Sequence, residues 1–180
     1  MEAKNLILIL ISSIIVISLL YVVFFKKQRH HYKIKQGEKI LEKIRSFEGD
    51  NVNDRIINYL RKINPFTFEE MLLSLFNESG CKIKRNKKYT GDGGLDGKFK
   101  FKGKWYFIQA KRYSNYIRST DVEALAKLCR KNKVKGLFIH TGKAGKGSIE
   151  VERANDNIMI ITPEDLVQFI KTGKLKIDFD

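Results

Sequence analysis

Between Leu6 and Phe25 the chain carries twenty consecutive residues without a charge, relieved only by serines. A helix over that run extends about 30 Å at ~1.5 Å per residue, the thickness of a bilayer's hydrocarbon core. A cleaved leader has a shorter apolar stretch followed by small residues. Here the run closes on Tyr21, Phe24 and Phe25, then Lys26 and Lys27, an aromatic belt followed by a basic stop. The expectation is an uncleaved anchor at residues 6–25 with a short non-cytoplasmic tail at 1–5. Lys26, Lys27, Arg29, Lys33 and Lys35 follow with no acid among them, so the positive-inside rule keeps everything after residue 25 in the cytoplasm. This predicts a single-pass protein of the inner or plasma membrane. His30 and His31 sit in the basic collar, beside anionic lipid headgroups.

With 180 residues in all, the chain leaves room beyond the anchor for one compact unit and a connector. With 35 Lys and Arg against 20 Asp and Glu, the net charge is +15, which points to a polyanionic partner. Cys81 and Cys129 stand apart, which excludes a thiolate metal site, a redox pair and a disulfide scaffold, and both read as buried thiols.

Residues 26–64 read as a basic juxtamembrane and helical connector. Ile34, Ile40, Leu41, Ile44 and Phe47 form one amphipathic stretch, Gly49-Asp50-Asn51 breaks it, and a second runs to Asn64-Pro65. This connector either docks on the main domain or pairs between chains, and nothing in it carries obvious chemistry. In the main domain, residues 65–180, Thr67 and Glu70 fit a capping box at a helix start, and Thr120 and Glu123 fit another. Lys98–Phe101 and Lys104–Arg112 read as strands joined at Lys102-Gly103. Apolar strands at Gly136–Ile139 and Ile158–Ile161 alternate with helices, and Thr162-Pro163 opens the last helix. Helix, three strands, helix, strand, helix, strand, helix predicts an α/β fold, a mixed sheet flanked by helices.

With a turn at Lys102-Gly103, paired residues place Asp96 opposite Gln109, and Lys111 projects from the same face as Gln109. A carboxylate and an amide oxygen suit a hard divalent cation, Mg²⁺ or Mn²⁺, and a nearby ammonium can orient a water and stabilise charge on a phosphate. That favours phosphodiester hydrolysis over acyl transfer. The stretch from Lys82 to Arg118 holds twelve Lys or Arg and two acids, Asp92 and Asp96. Lys98 and Arg112 within it, with Lys143 and Lys146 in the Gly142–Gly147 loop, are candidates for contact with a DNA backbone. That loop lacks the spacing of a P-loop, so no nucleotide cofactor is expected. His140, with no carboxylate partner in view, reads as structural or DNA-contacting.

Phe68-Glu69, Gly91-Asp92-Gly93-Gly94-Leu95-Asp96-Gly97 and Ile108-Gln109-Ala110-Lys111-Arg112-Tyr113 together resemble the catalytic domain of the Mrr-like restriction endonucleases, within the PD-(D/E)-x-K nuclease superfamily. The resemblance runs from about Pro65 to Ile170. It implies the restriction-endonuclease-like fold, Asp96 as metal-binding aspartate, Gln109 at the usually acidic position, and Lys111 as catalytic lysine. It also implies Glu69 as a third metal ligand, with Asp92 and Glu70 supporting the ligands from behind; Glu70 is also the helix cap of the capping-box reading. The implied function is restriction of foreign or modified DNA, although Mrr-like proteins often add a recognition domain for which this chain has no room. Cleavage of both strands takes two sites, hence the expectation of a homodimer. The competing expectation is a DNA-tethering module at the membrane that keeps the fold but not the hydrolysis.

Overall fold

A computed structural model describes residues 2–86 and 94–177. The first helix, α1 (Glu2–Arg45), is continuous from the apolar run into the connector. After it come α2 (Val52–Lys62), α3 (Pro65–Glu78), β1 (Lys82–Arg85), β2 (Gly97–Phe101) and β3 (Lys104–Lys111). The chain then alternates through α4 (Ser119–Asn132), β4 (Lys135–His140), α5 (Lys146–Arg153), β5 (Ile158–Ile161) and α6 (Pro163–Thr172). The order of elements from α3 onward is the one expected from the sequence.

The strands form one five-stranded sheet in chain order, antiparallel from β1 to β3 and parallel from β3 to β5. The two parallel connections each carry a helix, α4 and α5, which pack together over one face of the sheet. Helices α1, α3 and α6 cover the other face, where Phe76, Phe99 and Phe169 pack ring against ring. The α/β mixed sheet flanked by helices is therefore as expected. So is the hairpin register: Gly97 faces Ile108 and Phe101 faces Lys104, with Lys102 and Gly103 both at positive φ, as a two-residue turn between twisted strands requires.

Several local expectations are corrected. Helix α3 starts two residues before Thr67: Asn64 is its N-cap, accepting the Phe66 N–H at 3.0 Å, and Pro65 takes the first helical position. Thr67 and Glu70 are buried inside the helix, so they form no capping box. Helix α4 likewise begins at Ser119 with Arg118 as N-cap, which leaves Thr120 and Glu123 without that role. The box at Thr162 does form, reciprocally with Asp165. Cys129 is buried but Cys81 is only half-buried.

Of the two arrangements open to the connector, it docks. Leu41 and Ile44 of α1, with Ile56 and Leu60 of α2, are fully buried in the main core. Gly37 is the point of closest approach: a Cβ there would lie 2.7 Å from the Met71 amide nitrogen of α3, so only glycine lets the two backbones touch. Arg45 extends the contact, donating to the Ile170 carbonyl of α6 at 3.0 Å and pairing with Glu78 at 2.8 Å. The other half of α1 is long and apolar enough to cross a membrane, and its most apolar stretch is buried against nothing.

A chain truncated to start near residue 50 loses Leu41, Ile44 and the Gly37 contact, and burial losses of ~2–5 kcal/mol per large side chain predict a collapse in stability. A truncation that keeps residues from 28 onward melts at least as high as the full chain. Thermal melts of the two truncations check this, and equal melting temperatures would sink it. Gly37→Val lowers the melting temperature by the overpacking route, with a cost of about 1–3 kcal/mol.

Candidate active site

The site lies where β2 begins and β3 ends. Asp96 leaves the ladder just before β2: its amide donates to Ile108 O at 2.9 Å, while its carboxylate Oδ2 accepts the Ala110 N–H at 2.6 Å. A side chain thus replaces the backbone acceptor that β2 would have supplied, and the carboxylate is fixed against β3. Gln109 and Lys111 project from one face of β3, as alternation requires. Gln109 is 4% exposed, and among the described residues its Oε1 has no hydrogen-bond partner. Gly94, in the left-handed region at φ 83, lies so close that a Cβ there would overlap the Gln109 amide. The glycine loop therefore needs this glycine for its backbone turn and for room over Gln109.

Glu69 comes from the first turns of α3 and is half-buried. Burial above all, then Asp96 and Glu70, push its carboxyl up to about 8, while Lys111 and Arg112 pull it back. Burial likewise pushes Asp96 up to about 6, against the Ala110 hydrogen bond and the Lys111 ammonium. Two carboxyls and a lysine are thus in electrostatic reach of one another. Among the described residues no group of three or more His, Cys, Asp or Glu gathers in a metal-binding cluster, so the oxygen donors here number two carboxylates and one amide. Those are hard donors of the kind Mg²⁺ takes.

Glu70 faces away. Its Oε2 accepts Arg85 Nε at 2.7 Å, Arg85 also reaches Ser74, and His30 of α1 lies 3.6 Å from Oε1. Adjacent glutamates on one helix point to different neighbours, so Glu69 joins Asp96 and Lys111 while Glu70 ties α3 to α1 and β1. Asp92 lies outside the described residues. Lys98 is half-exposed, its ammonium 4.5 Å from the centre of the Phe107 ring. Lys143 and Lys146 are exposed on the β4–α5 side. Arg112 is engaged internally: it donates to the Arg61 carbonyl at 2.9 Å and to that of Ile63, capping the open end of α2. Its electrostatic effect still reaches Glu69. His140 is fully buried, burial pushes it down to about 4, and its Nδ1 accepts the Gly142 N–H at 3.2 Å, which fixes it as a structural residue.

Sequence reasoning passed over Arg61. Its guanidinium donates to Thr141 O at 2.9 and 2.6 Å and to Tyr113 O at 3.2 Å, fastening α2 to the loops that follow β3 and β4. Those loops are also joined to each other, Ile117 N to Lys143 O at 3.0 Å and Lys143 N to Asn115 O at 3.1 Å. A lone arginine at a helix end gives no sign in the sequence of which carbonyls it will find.

Acidic groups and a lysine thus meet at one end of a mixed sheet. Residues 60–170 match the Mrr_cat family, described as restriction endonuclease, and the chain belongs to that family. Among solved structures it is similar to restriction endonuclease FokI, at 14% identity and a TM-score of 0.48, over 76% of this chain and 31% of that one. The chain thus spans about a third of FokI's length. No curated protein sequence matches it.

Because Glu69 holds its proton in the folded chain up to about pH 8 but releases it near 4.5 when unfolded, metal-free stability falls as pH rises through that window. Glu69→Gln flattens this slope. Thermal melts in EDTA across the window check it, and parallel curves for the two proteins would remove Glu69 from the buried acidic pair.

Proposed function

We propose that this chain is a membrane-anchored, metal-dependent DNA endonuclease. The observation that carries the reading is the electrostatic coupling of Glu69, Asp96 and Lys111, with Gln109 buried on the same strand face as Lys111 and its Oε1 without a hydrogen-bond partner among the described residues. Glu69, Asp96 and Gln109 are the residues to hold Mg²⁺ or Mn²⁺, which when bound supplies Lewis-acid activation of the phosphodiester. Lys111 orients the attacking water and stabilises the charge that develops on the phosphate. Water oxygen forms the new bond to phosphorus, the bridging P–O bond breaks, and the departing oxygen takes a proton. Asp96, fixed by Ala110, needs no reorganisation during that step. Arg61 and Arg112 act as positioning residues by holding α2 against the loops beside Lys111.

Lys98, Lys143 and Lys146 are the backbone contacts, and their charge makes affinity for DNA sensitive to salt. The exposed apolar surface of α1, with Leu20 at 64% and Val23 at 63%, supports a bilayer around residues 6–25. The basic residues after it support a cytoplasmic nuclease domain. Family membership supports restriction of foreign or modified DNA, with two copies of the chain cutting the two strands.

Plasmid cleavage by the detergent-solubilised full chain tests the reading, with Mg²⁺ or EDTA and with methylated or unmethylated DNA. Cleavage requires the metal, and Lys111→Ala slows it by about 10²-fold or more, the range of a lost transition-state charge partner, while DNA binding persists. DNA binding without metal-dependent cleavage in any substrate would instead establish a tethering module.

A further inference from the structure

Helices α4 and α5 lie over β4 and β5, and they leave the same face of β1 and β2 open. On that face Lys82 stands opposite Lys100 and Lys84 opposite Lys98. Like charges directly across a ladder destabilise a sheet. Lysines on an edge strand do discourage pairing with other chains, which accounts for Lys82 and Lys84 on β1. It does not account for Lys98 and Lys100, because β2 is an interior strand.

Nor is this surface flat. Lys84, Lys98, Trp105, Phe107, Asn132 and Val134 line a cleft of about 330 Å³. Past Trp105 and Val134 it meets a larger cleft of about 770 Å³, whose lining adds Phe101, Lys102, Lys104, Arg130 and Lys133. Among the described residues neither cleft is lined by an acid, and none of Lys84, Lys98, Lys102 and Lys104 has a carboxylate partner. Arg130 is bonded to Asn155. Duplex backbone binding requires only the charges. A half-buried indole beside a second aromatic ring, between rows of lysines, adds a face on which an unpaired base can stack.

We infer that the open face of β1 and β2, with the two clefts around Trp105, binds a single strand of nucleic acid, its phosphates on the lysines and a base against the indole. Trp105 and Lys111 are six residues apart on β3, about 20 Å at ~3.3 Å per residue, and Lys100 and Lys98 lead along β2 towards Asp96. The inference deepens the nuclease reading and rests on it for its role: the bound strand is unpaired nucleic acid flanking the phosphate to be cut.

Trp105 is the only tryptophan in the chain, so its fluorescence reports on this face alone. The full chain in detergent and EDTA is titrated with oligo(dT), oligo(U) and a duplex of equal length, with anisotropy of labelled oligonucleotide followed in parallel. Single-stranded oligonucleotide quenches Trp105, the duplex does not, and quenching weakens as salt rises. The double variant Lys84→Glu, Lys104→Glu, changed only at exposed positions, weakens that binding by about tenfold or more. Comparison of the oligo(dT) and oligo(U) titrations tells whether DNA or RNA is the strand held. Binding seen by anisotropy with no change in Trp105 emission, or equal quenching by the duplex, overturns the inference. Lys111→Ala keeps the quenching, so failure of the nuclease reading shows in cleavage alone and failure of this inference shows in fluorescence alone.

Discussion

The hydrogen bond from Ala110 N–H to the Asp96 carboxylate is where the sheet stops being scaffold and becomes a site. Up to Ile108 the β2–β3 hairpin is ordinary antiparallel pairing, driven by apolar residues on the α3 side and closed by a glycine turn. At Asp96 the backbone leaves the ladder, and the side chain takes over the bond that β3 still needs. A carboxylate is thereby held half-buried beside Lys111 without the cost of an unsatisfied strand amide. Everything around it follows from β3 being the strand that pairs antiparallel on one edge and parallel on the other. The parallel neighbour sends its loop up beside Lys111, and the antiparallel neighbour delivers Asp96.

Burial around that bond has two opposite electrical effects. It raises Asp96 and Glu69 towards neutrality, and it lets Lys111 act on both with little solvent between them. Neutral acids suit the protein alone, whereas ionised ones suit a cation. The same desolvation that makes the acids reluctant to ionise makes their charge effective once a partner compensates it. Gln109 is consistent with this balance, since a third carboxylate in its buried position would add repulsion to the Glu69 and Asp96 pair.

Much of this was legible in the sequence because it depends on short-range rules. The turn at Lys102-Gly103 fixes the hairpin register as far as Gly97 and Ile108, one step short of Asp96 and Gln109, and strand alternation puts Lys111 on the face of Gln109. Helix starts were less legible. Asn64-Pro65 and Thr67 with Glu70 both offer an acceptable beginning for α3, and what decides is that Thr67 and Glu70 are wanted inside, against α1 and Arg85. The role of Arg61 was hidden for a stronger reason. Its acceptors, Thr141 and Tyr113, lie about 50 to 80 residues away and become neighbours only after three strands have paired. Gly37 reads as a weak spot in a helix until Met71 is placed against it.

That contact also fixes how the domain sits on the helix that carries the apolar run. Helix α1 runs without a break from its apolar half into the core, so no flexible linker separates the apolar run from the domain. His30, five residues beyond Phe25, already touches Glu70, the neighbour of Glu69 on α3. Five residues of helix advance by about 8 Å. On the membrane reading, the first turn of α3, and with it the acidic end of the site, therefore lies close to the headgroups. On that proposal a rigid α1 would restrict the domain to substrate that already runs near the membrane, a constraint set by the packing of Gly37 on Met71.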